Sequence, residues 1–155
     1  MAENLVITLY EFKPVSEPRE LVERLRAFTQ DSQILGLLIV AQEGVNGTLA
    51  GPKEEVRALM NWLMEHAGFK GMNPTETWVE GDNPFVSLKI QERNEAVTLG
   101  MAHLDPSQRT GTHVDPAQWN ALLSDPDLIL IDVRNPYEWA IGAFPGAEKP
   151  DTRTF

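Results

Sequence analysis

The alternation of strand-like and helix-like apolar periodicity in residues 1–98 is the feature that most constrains the fold of this chain. Residues 4–12 carry apolar side chains on both parities, which predicts a first strand with both faces largely covered. Residues 34–41 form a β-rich apolar run that predicts a second strand. The segment QEGVNG then leads into a short third strand, TLA, so we expect a hairpin turn at Asn46 and Gly47, where positive φ costs little.

Two helical segments separate these strands. The first is predicted to start with a cap and first turn at residues 16–18 and to end near Thr29, with an apolar face made by Leu21, Leu25 and Phe28. The second is predicted to begin at Glu54 and Glu55, because acidic residues suit a helix N-terminus. It ends before Gly68, and its apolar face consists of Val56, Leu59, Met60 and Leu63.

The remaining residues of this segment complete a recognisable order. Residues 69–83, rich in Gly, Pro, Asn and Thr, predict an irregular loop, and residues 84–91 alternate cleanly and predict a fourth strand. The order β-α-β-β-α-β predicts an α+β domain of the ferredoxin-like type over residues 1–98. Two helices cover only one face of such a sheet. The other face must be solvated, pack on another domain or bind a ligand, and its predicted side chains are Tyr10, Phe12, Lys89, Gln91 and Arg93.

A second unit follows a segment that lacks periodicity. Residues 99–114 are rich in Gly, Thr and Ser and predict a linker. Asp115 and Pro116 predict the start of a helix, and residues 128–133 are an apolar run typical of a buried parallel strand. A further helix is expected from Asn135 and Pro136, with Glu138 in its first turn. An incomplete parallel sheet would leave strand edges exposed, so residues after about 133 are expected to be disordered or to pair with a neighbouring chain.

Composition excludes several classes of function. The chain has no cysteine, which excludes disulfides, thiolate metal sites and a cysteine nucleophile within these 155 residues. Its formal net charge of −10 opposes loose binding to phosphates, so a nucleic-acid role must rest on a local patch. The three histidines, His66, His103 and His113, lack metal-ligand spacing, and we predict no bound metal and no cofactor. With neither a membrane span nor a signal peptide in the sequence, we expect a cytoplasmic protein.

The segment LILIDVRNPYEWAIGAFPGA resembles the opening of a rhodanese domain. In that family a strand ending in Asp-x-Arg precedes an acidic residue on a helix and a Gly-x-Ile/Phe-Pro-Gly-Ala turn. The matches are Asp132, Arg134, Glu138 and residues 142–147, and the sequence departs at Ala143, where many rhodaneses have His. The resemblance implies a working cysteine on a later loop, which is missing here. None of the matched side chains is a nucleophile, and we expect Asp132, Arg134 and Glu138 to form a structural network.

Four stretches together are similar to the rhodanese-related tRNA uridine hydroxylase family, namely residues 36–51, 86–100, 111–123 and 131–147. This resemblance implies a ferredoxin-like, or acylphosphatase-like, domain followed by an incomplete α/β rhodanese-like domain at residues 115–155. In the family, the full protein uses oxygen to convert wobble uridine in certain tRNAs to 5-hydroxyuridine. The family's catalytic cysteine loop lies beyond this opening, so we assign no catalytic residue. We expect an N-terminal fragment that is inactive without the C-terminal rhodanese portion of the same protein.

Binding is the role that remains for this chain, with tRNA as the expected partner. The candidate substrate-binding residues are Glu43 and Asn46 in the hairpin, Lys89 on the predicted fourth strand and Arg93 at its end. Lys89 and Arg93 could meet RNA phosphates or pair with acidic neighbours. Asn46 could equally be turn chemistry, and Glu43 a capping or solvated carboxylate. The sequence does not predict an oligomeric state.

Two other functions are compatible with the same residues. The first is a rhodanese-type sulfurtransferase that moves persulfide sulfur. The second is a non-catalytic binding or regulatory module, in which the rhodanese opening is only a docking platform.

Overall fold

The computed structural model describes residues 3–98, 100 and 111–151, and the chain divides into two compact units between residues 110 and 111. The described residues of the first unit form five strands and two helices. In chain order these are β1 (Glu3–Phe12), α1 (Pro18–Thr29), β2 (Leu35–Ala41), β3 (Gly44–Gly51), α2 (Lys53–His66), β4 (Thr75–Glu80) and β5 (Leu88–Glu92). The second unit contains α3 (Pro116–Leu122) and α4 (Pro136–Ile141).

The five strands of the first unit form one sheet in the order β4-β1-β3-β2-β5. The strand β1 pairs antiparallel with both β3 and β4, and β2 pairs antiparallel with β3. These four strands and two helices have the order of a split βαβ arrangement, which confirms the predicted α+β, ferredoxin-like fold. The strand β5 adds to the outer edge of β2 in parallel.

The prediction of a loop over residues 69–83 is wrong, because β4 lies within it. This strand pairs with β1 from Thr75 opposite Thr8 to Glu80 opposite Glu3. Its sequence, TETWVE, is mostly polar and its side chains are largely exposed. A strand with a neighbour on one side only needs no apolar alternation, so periodicity did not reveal it.

The predicted fourth strand is instead the fifth strand of the sheet and is shorter than expected. It begins at Leu88, and residues 84–87 lie outside it. Val86, which the alternation assigned to this strand, is 98% exposed. The apolar alternation thus begins at residue 84, four residues before the paired strand begins at Leu88.

The predicted hairpin exists, but its turn lies elsewhere. The turn is at Gln42 and Glu43, whereas Asn46 and Gly47 lie inside β3 and pair with β2. The residue after the turn, Gly44, has φ of 148°, and a Cβ there would collide with the carbonyl oxygen of Glu11 on β1. Glycine is required at Gly44 for this close approach, so the conformational freedom that we assigned to Asn46-Gly47 is used at Gly44.

The core of the first unit lies between one face of the sheet and the two helices. The helices contribute their predicted apolar faces, except that Phe28 remains exposed and packs against Trp62 on α2 with ring centroids 5.5 Å apart. The fully buried side chains include Leu5, Ile7, Leu9, Leu25, Leu38, Leu49, Leu59, Leu63 and Phe69. Burying a Leu-sized side chain stabilises a fold by about 1.5–3 kcal/mol, so this layer dominates the stability of the unit.

The opposite face of the sheet is open within the described part of the first unit. We predicted that both faces of β1 would be covered, and this is wrong. Leu5, Ile7 and Leu9 are buried, but Thr8 is exposed and Tyr10 is 52% exposed. The solvent-exposed face of β1 carries aromatic and β-branched side chains, which are also common on buried faces. The sequence pattern therefore could not show which face of β1 is exposed.

The second unit has less regular structure than the sequence predicted. The predicted cap of α3 is confirmed, since the Asp115 carboxylate accepts from the backbone N–H of Gln118 at 2.8 Å. The expected buried strand at residues 128–133 is wrong for this chain. A single parallel bridge joins Ile131 to Glu148, and Ile129 is 71% exposed. A parallel strand is buried only when neighbouring strands and covering helices surround it, and the described residues of this unit do not do so.

The rhodanese-like assignment of residues 115–155 therefore stays a prediction. The linker predicted at residues 99–114 falls mostly outside the described residues, as do His103 and residues 152–155. Across the described ranges, no helix has the length and apolar character that crossing a membrane requires.

Candidate functional site

The four candidate binding residues all lie in the first unit, two in the β2–β3 hairpin and two on β5 or directly after it. Glu43 is in the turn, Asn46 is on β3, Lys89 is on β5, and Arg93 directly follows β5. Arg93 extends the pairing of β5, because its backbone N–H donates to the carbonyl of Val40 at 2.9 Å. Its guanidinium donates to the side-chain carbonyl of Gln91 at 2.8 Å.

Glu43 and Asn46 share a single backbone target. The Glu43 carboxylate accepts from the N–H of Ala96 at 2.7 Å, and the Asn46 amide donates to the carbonyl of Ala96 at 3.2 Å. Ala96 is buried, so its peptide groups would otherwise lack partners. The two side chains thus hold the segment that follows β5 against the hairpin. We call this arrangement the Ala96 clamp.

Pairing across the sheet shows which side chains share the open face. Tyr10, Asn46, Ile39 and Gln91 occupy one row across β1, β3, β2 and β5, because each is the register partner of the next. The adjacent row consists of Thr8, Thr48, Leu37 and Lys89. Register partners point to the same face. The prediction that Tyr10, Lys89 and Gln91 share a face is therefore confirmed.

A groove of about 470 Å³ lies on this open face. Leu37 and Ile39 of β2 and Asn46 and Thr48 of β3 line it, together with the segment from Phe85 to Ser87 and with Lys89. The structure therefore brings Asn46 and Lys89 together in one groove, while Glu43 and Arg93 lie outside its lining. We call it the open-face groove.

The wall of the open-face groove was not predicted from the sequence. Asn83 fixes it, because its amide donates to the carbonyl of Ala50 at 2.9 Å and its side-chain oxygen accepts from the backbone N–H of Phe85 at 3.0 Å. The short motif Asn-Pro-Phe is a turn signal that could have pointed to this anchor. Nothing in the local sequence indicates that Asn83 reaches the third strand.

A separate polar network occupies the second unit. The Arg134 side chain donates to the Asp132 carboxylate at 2.6 Å and to the carbonyl of Gly142 at 2.8 Å. The side-chain hydrogen bond from Arg134, followed by that from its backbone N–H, holds the pKa of Asp132 below its usual range. The same carboxylate raises the pKa of Arg134.

Glu138 makes hydrogen bonds at the start of α4. Its carboxylate accepts from the backbone N–H of Asn135 at 3.1 Å and from the Asn135 side-chain amide at 3.0 Å. Asp132 and Arg134 therefore form one internal pair, whereas Glu138 bonds separately to Asn135, and a single network of the three side chains stays a prediction. Beside it lies a mainly apolar cavity of about 480 Å³, lined by Trp119, residues 130–134 and residues of the 142–147 turn.

In the part of the chain that the structure describes, no cluster of three or more His, Asp or Glu side chains could hold a metal ion. Neither of the two described histidines is among the residues that line the open-face groove. His66 stacks on Trp62 at 5.6 Å between ring centroids, and His113 precedes α3. The predictions that no metal and no cofactor bind stay predictions.

Comparison with known proteins adds a family. The family described as the UPF0176 acylphosphatase like domain matches residues 4–96, which contain the five-stranded sheet except for its first residue, Glu3. The match covers more than half of the chain, so it does not depend on a single short motif.

Curated relatives align with both units. A tRNA uridine(34) hydroxylase of Teredinibacter turnerae is 43% identical over 155 residues, which are 100% of this chain and 48% of the relative. One of Agrobacterium fabrum is 44% identical over 151 residues, which are 97% of this chain and 48% of the relative. The chain thus spans about half the length of these relatives.

Among solved structures, BlrB, a BLUF protein, is 18% identical with a TM-score of 0.48 and covers 60% of this chain and 75% of its own. A similarity of this size supports no further conclusion.

Proposed function

The chain belongs to the UPF0176 acylphosphatase-like domain family, and from that membership we propose that it takes part in the oxygen-dependent hydroxylation of wobble uridine in tRNA to 5-hydroxyuridine. The observation that carries the proposal is the identity of 43–44% to relatives named tRNA uridine(34) hydroxylase, over 97–100% of this chain. The identity extends through both units and is not confined to the sheet. A tRNA substrate also fits a cytoplasmic location.

In this proposal the 155 residues bind tRNA and do not carry out the chemistry. The chain has no cysteine, and the ion pair of Asp132 and Arg134 is satisfied by internal hydrogen bonds. The reacting groups belong to the half of the relatives' length that this chain does not match. Residues 1–98 are the binding domain, residues 99–114 a linker, and residues 115–155 the opening of a rhodanese-like domain that the remaining half completes.

The open sheet face is the surface that meets the RNA. Lys89 and Arg93 contact phosphates, because both are exposed and follow the same parity on β5 and just beyond it. Asn46 contributes from within the open-face groove. Glu43 contributes indirectly, by holding Ala96 in the clamp, since an uncovered carboxylate would repel phosphates.

A chimera tests the proposed reaction. The matching half of the Teredinibacter turnerae relative is replaced by this chain, and tRNA treated with the chimera is digested and analysed for 5-hydroxyuridine by mass spectrometry. We expect product. If the unaltered relative makes product while a soluble, folded chimera does not, the proposal is wrong. Thiosulfate-to-cyanide activity of the chimera without tRNA hydroxylation would instead favour the sulfurtransferase.

Binding of tRNA to the chain itself tests its assigned role. Replacing Lys89 by Ala should weaken tRNA binding severalfold at low salt. It should also reduce, by about one, the slope of the logarithm of the binding constant against the logarithm of the salt concentration. The matched control is Lys53→Ala, which removes an exposed lysine from the start of α2. Equal effects of the two substitutions would show that the open face has no special role.

A further inference from the structure

The open-face groove combines an apolar floor with a built wall. Its floor includes Leu37, which is 38% exposed, and Ile39, which is half-buried. Its wall carries the half-buried aromatic side chain of Phe85. The wall is held in place through Asn83, as described above, and through the carbonyl of Ser87, which accepts from the N–H of Gly36 at 2.9 Å. A groove held by such hydrogen bonds loses little conformational freedom when a ligand enters.

The electrostatic character of the groove differs from that of the chain as a whole. The chain carries 23 acidic and 13 basic Lys and Arg side chains. Among the described side chains that line the groove, however, none is acidic and the charged one is Lys89. Because no carboxylate lines the groove, a phosphate would not be repelled there, and Lys89 could attract it. The apolar floor suits a flat ligand that carries such a phosphate.

We infer that the open-face groove binds one unstacked nucleobase of single-stranded RNA, with Lys89 on the adjacent phosphate. This inference rests on the proposed function and names which part of the RNA this surface receives. Proteins that read single-stranded RNA stack splayed bases on aromatic and apolar side chains and hydrogen-bond their edges. Phe85, Leu37 and Ile39 supply the apolar surface, and Thr48 and Asn46 supply polar atoms beside it.

The size of the groove agrees with this ligand. Small-molecule sites measure about 300–1,000 Å³, and the groove, at about 470 Å³, lies in the lower part of that range. A nucleobase with its sugar is smaller than most drug-sized ligands and leaves its neighbouring nucleotides outside. The exposed Val86 at the rim is then covered by the sugar of the bound nucleotide.

Two RNA probes separate base binding from phosphate binding. One is a short fluorescein-labelled oligouridylate, and the other is an oligomer of equal length and charge made of abasic ribose phosphate. Their dissociation constants for the 155-residue chain are measured by fluorescence anisotropy at low salt. Stacking of one base is worth about 1–3 kcal/mol, so the oligouridylate should bind roughly tenfold more tightly than the abasic oligomer.

Two substitutions locate the base. Phe85→Ala should remove most of the preference for oligouridylate and leave abasic binding unchanged. Leu37→Thr tests the floor without a change of charge, and Val97→Thr is its control because Val97 is also 38% exposed and lies outside the groove lining. If Phe85→Ala fails to fold by circular dichroism, the comparison of Leu37→Thr with Val97→Thr decides the question.

The outcomes distinguish this inference from the proposed function. Equal affinity for the two oligomers, or equal effects of Leu37→Thr and Val97→Thr, would overturn the inference, although binding of intact tRNA would still support the proposed function. If the chain binds neither oligomer nor tRNA, the role of the chain in tRNA binding is wrong and the inference fails with it.

Discussion

The carboxylate of Glu43 accepts a hydrogen bond of 2.7 Å from the backbone N–H of Ala96, which lies 53 positions further along the chain. This bond and that of Asn46 to the carbonyl of the same residue join the β2–β3 hairpin to the segment after β5. Two residues of a predicted binding hairpin therefore have an internal structural task. Their substitution is expected to act first on that segment, and through it on the open face.

We expect Glu43→Ala to destabilise the first unit by about 1–3 kcal/mol, because it leaves the buried N–H of Ala96 without an acceptor. The free energy of opening measured by hydrogen exchange at the Ala96 amide should fall by a similar amount. The midpoint of urea unfolding, followed by circular dichroism, should shift to a lower urea concentration. Glu54→Ala, at an exposed position on α2, is the matched control. An Ala96 amide that stays protected in Glu43→Ala would contradict the clamp.

Coupling between the two clamp residues is a separate prediction. Because Glu43 and Asn46 hold the two backbone groups of one residue, the double substitution to Ala should cost less than the sum of the single substitutions. Residues in one network show coupling energies of about 0.5–3 kcal/mol. Urea unfolding of the two single variants and the double variant measures it, and strict additivity would mean that the two bonds form independently.

Gly44→Ala should destabilise the chain by about 2 kcal/mol or more. A Cβ at this position would collide with the carbonyl oxygen of Glu11, and φ of 148° is unfavourable for alanine. Gly111→Ala is the control, because an added Cβ there has nothing within 4 Å. Thermal unfolding of the two variants should separate them, and similar midpoints would show that β1 and the hairpin can move apart at little cost.

Asn83→Ala should loosen the wall of the open-face groove. It removes one donor to the carbonyl of Ala50 and one acceptor of the N–H of Phe85, each worth about 0.5–1.5 kcal/mol. We expect faster hydrogen exchange at Phe85 and a modest loss of stability. Asn73→Ala, in the segment before β4 at an exposed position, is the control. No change at Phe85 would mean that the wall is held by other contacts.

The acid titration of Asp132 should have its midpoint below the usual carboxyl range of about 3.9. Since its pKa is lowered in the folded state, the pair with Arg134 favours folding above the usual pKa, and this contribution is lost as the pH falls through the lowered value. Carbon-detected NMR of the Asp132 side chain measures the midpoint. Arg134→Ala should raise it, whereas Arg19→Ala on α1 should leave it unchanged.

Local pattern was sufficient for much of the first unit. The helices α1 and α2 and the strands β1 and β2 were predicted close to their observed bounds, because each buries a stripe or a parity of apolar side chains. The strand β4 was missed, since an edge strand is specified by pairing with β1 and not by its own apolar residues. The open-face groove was missed because its wall follows from Asn83 reaching Ala50, a contact 33 positions away.

The sequence by itself determined the first five elements, β-α-β-β-α, the absence of a cysteine nucleophile within these 155 residues and the similarity to a tRNA-modifying family. These depend on residue type and spacing, which can be read along the chain. Only the tertiary structure decided where the hairpin turns, that Glu43 and Asn46 hold Ala96, and that Asn46 and Lys89 line one groove with Phe85. Those outcomes depend on which backbone groups need partners once strands are paired, and that demand arises between segments that are distant in sequence.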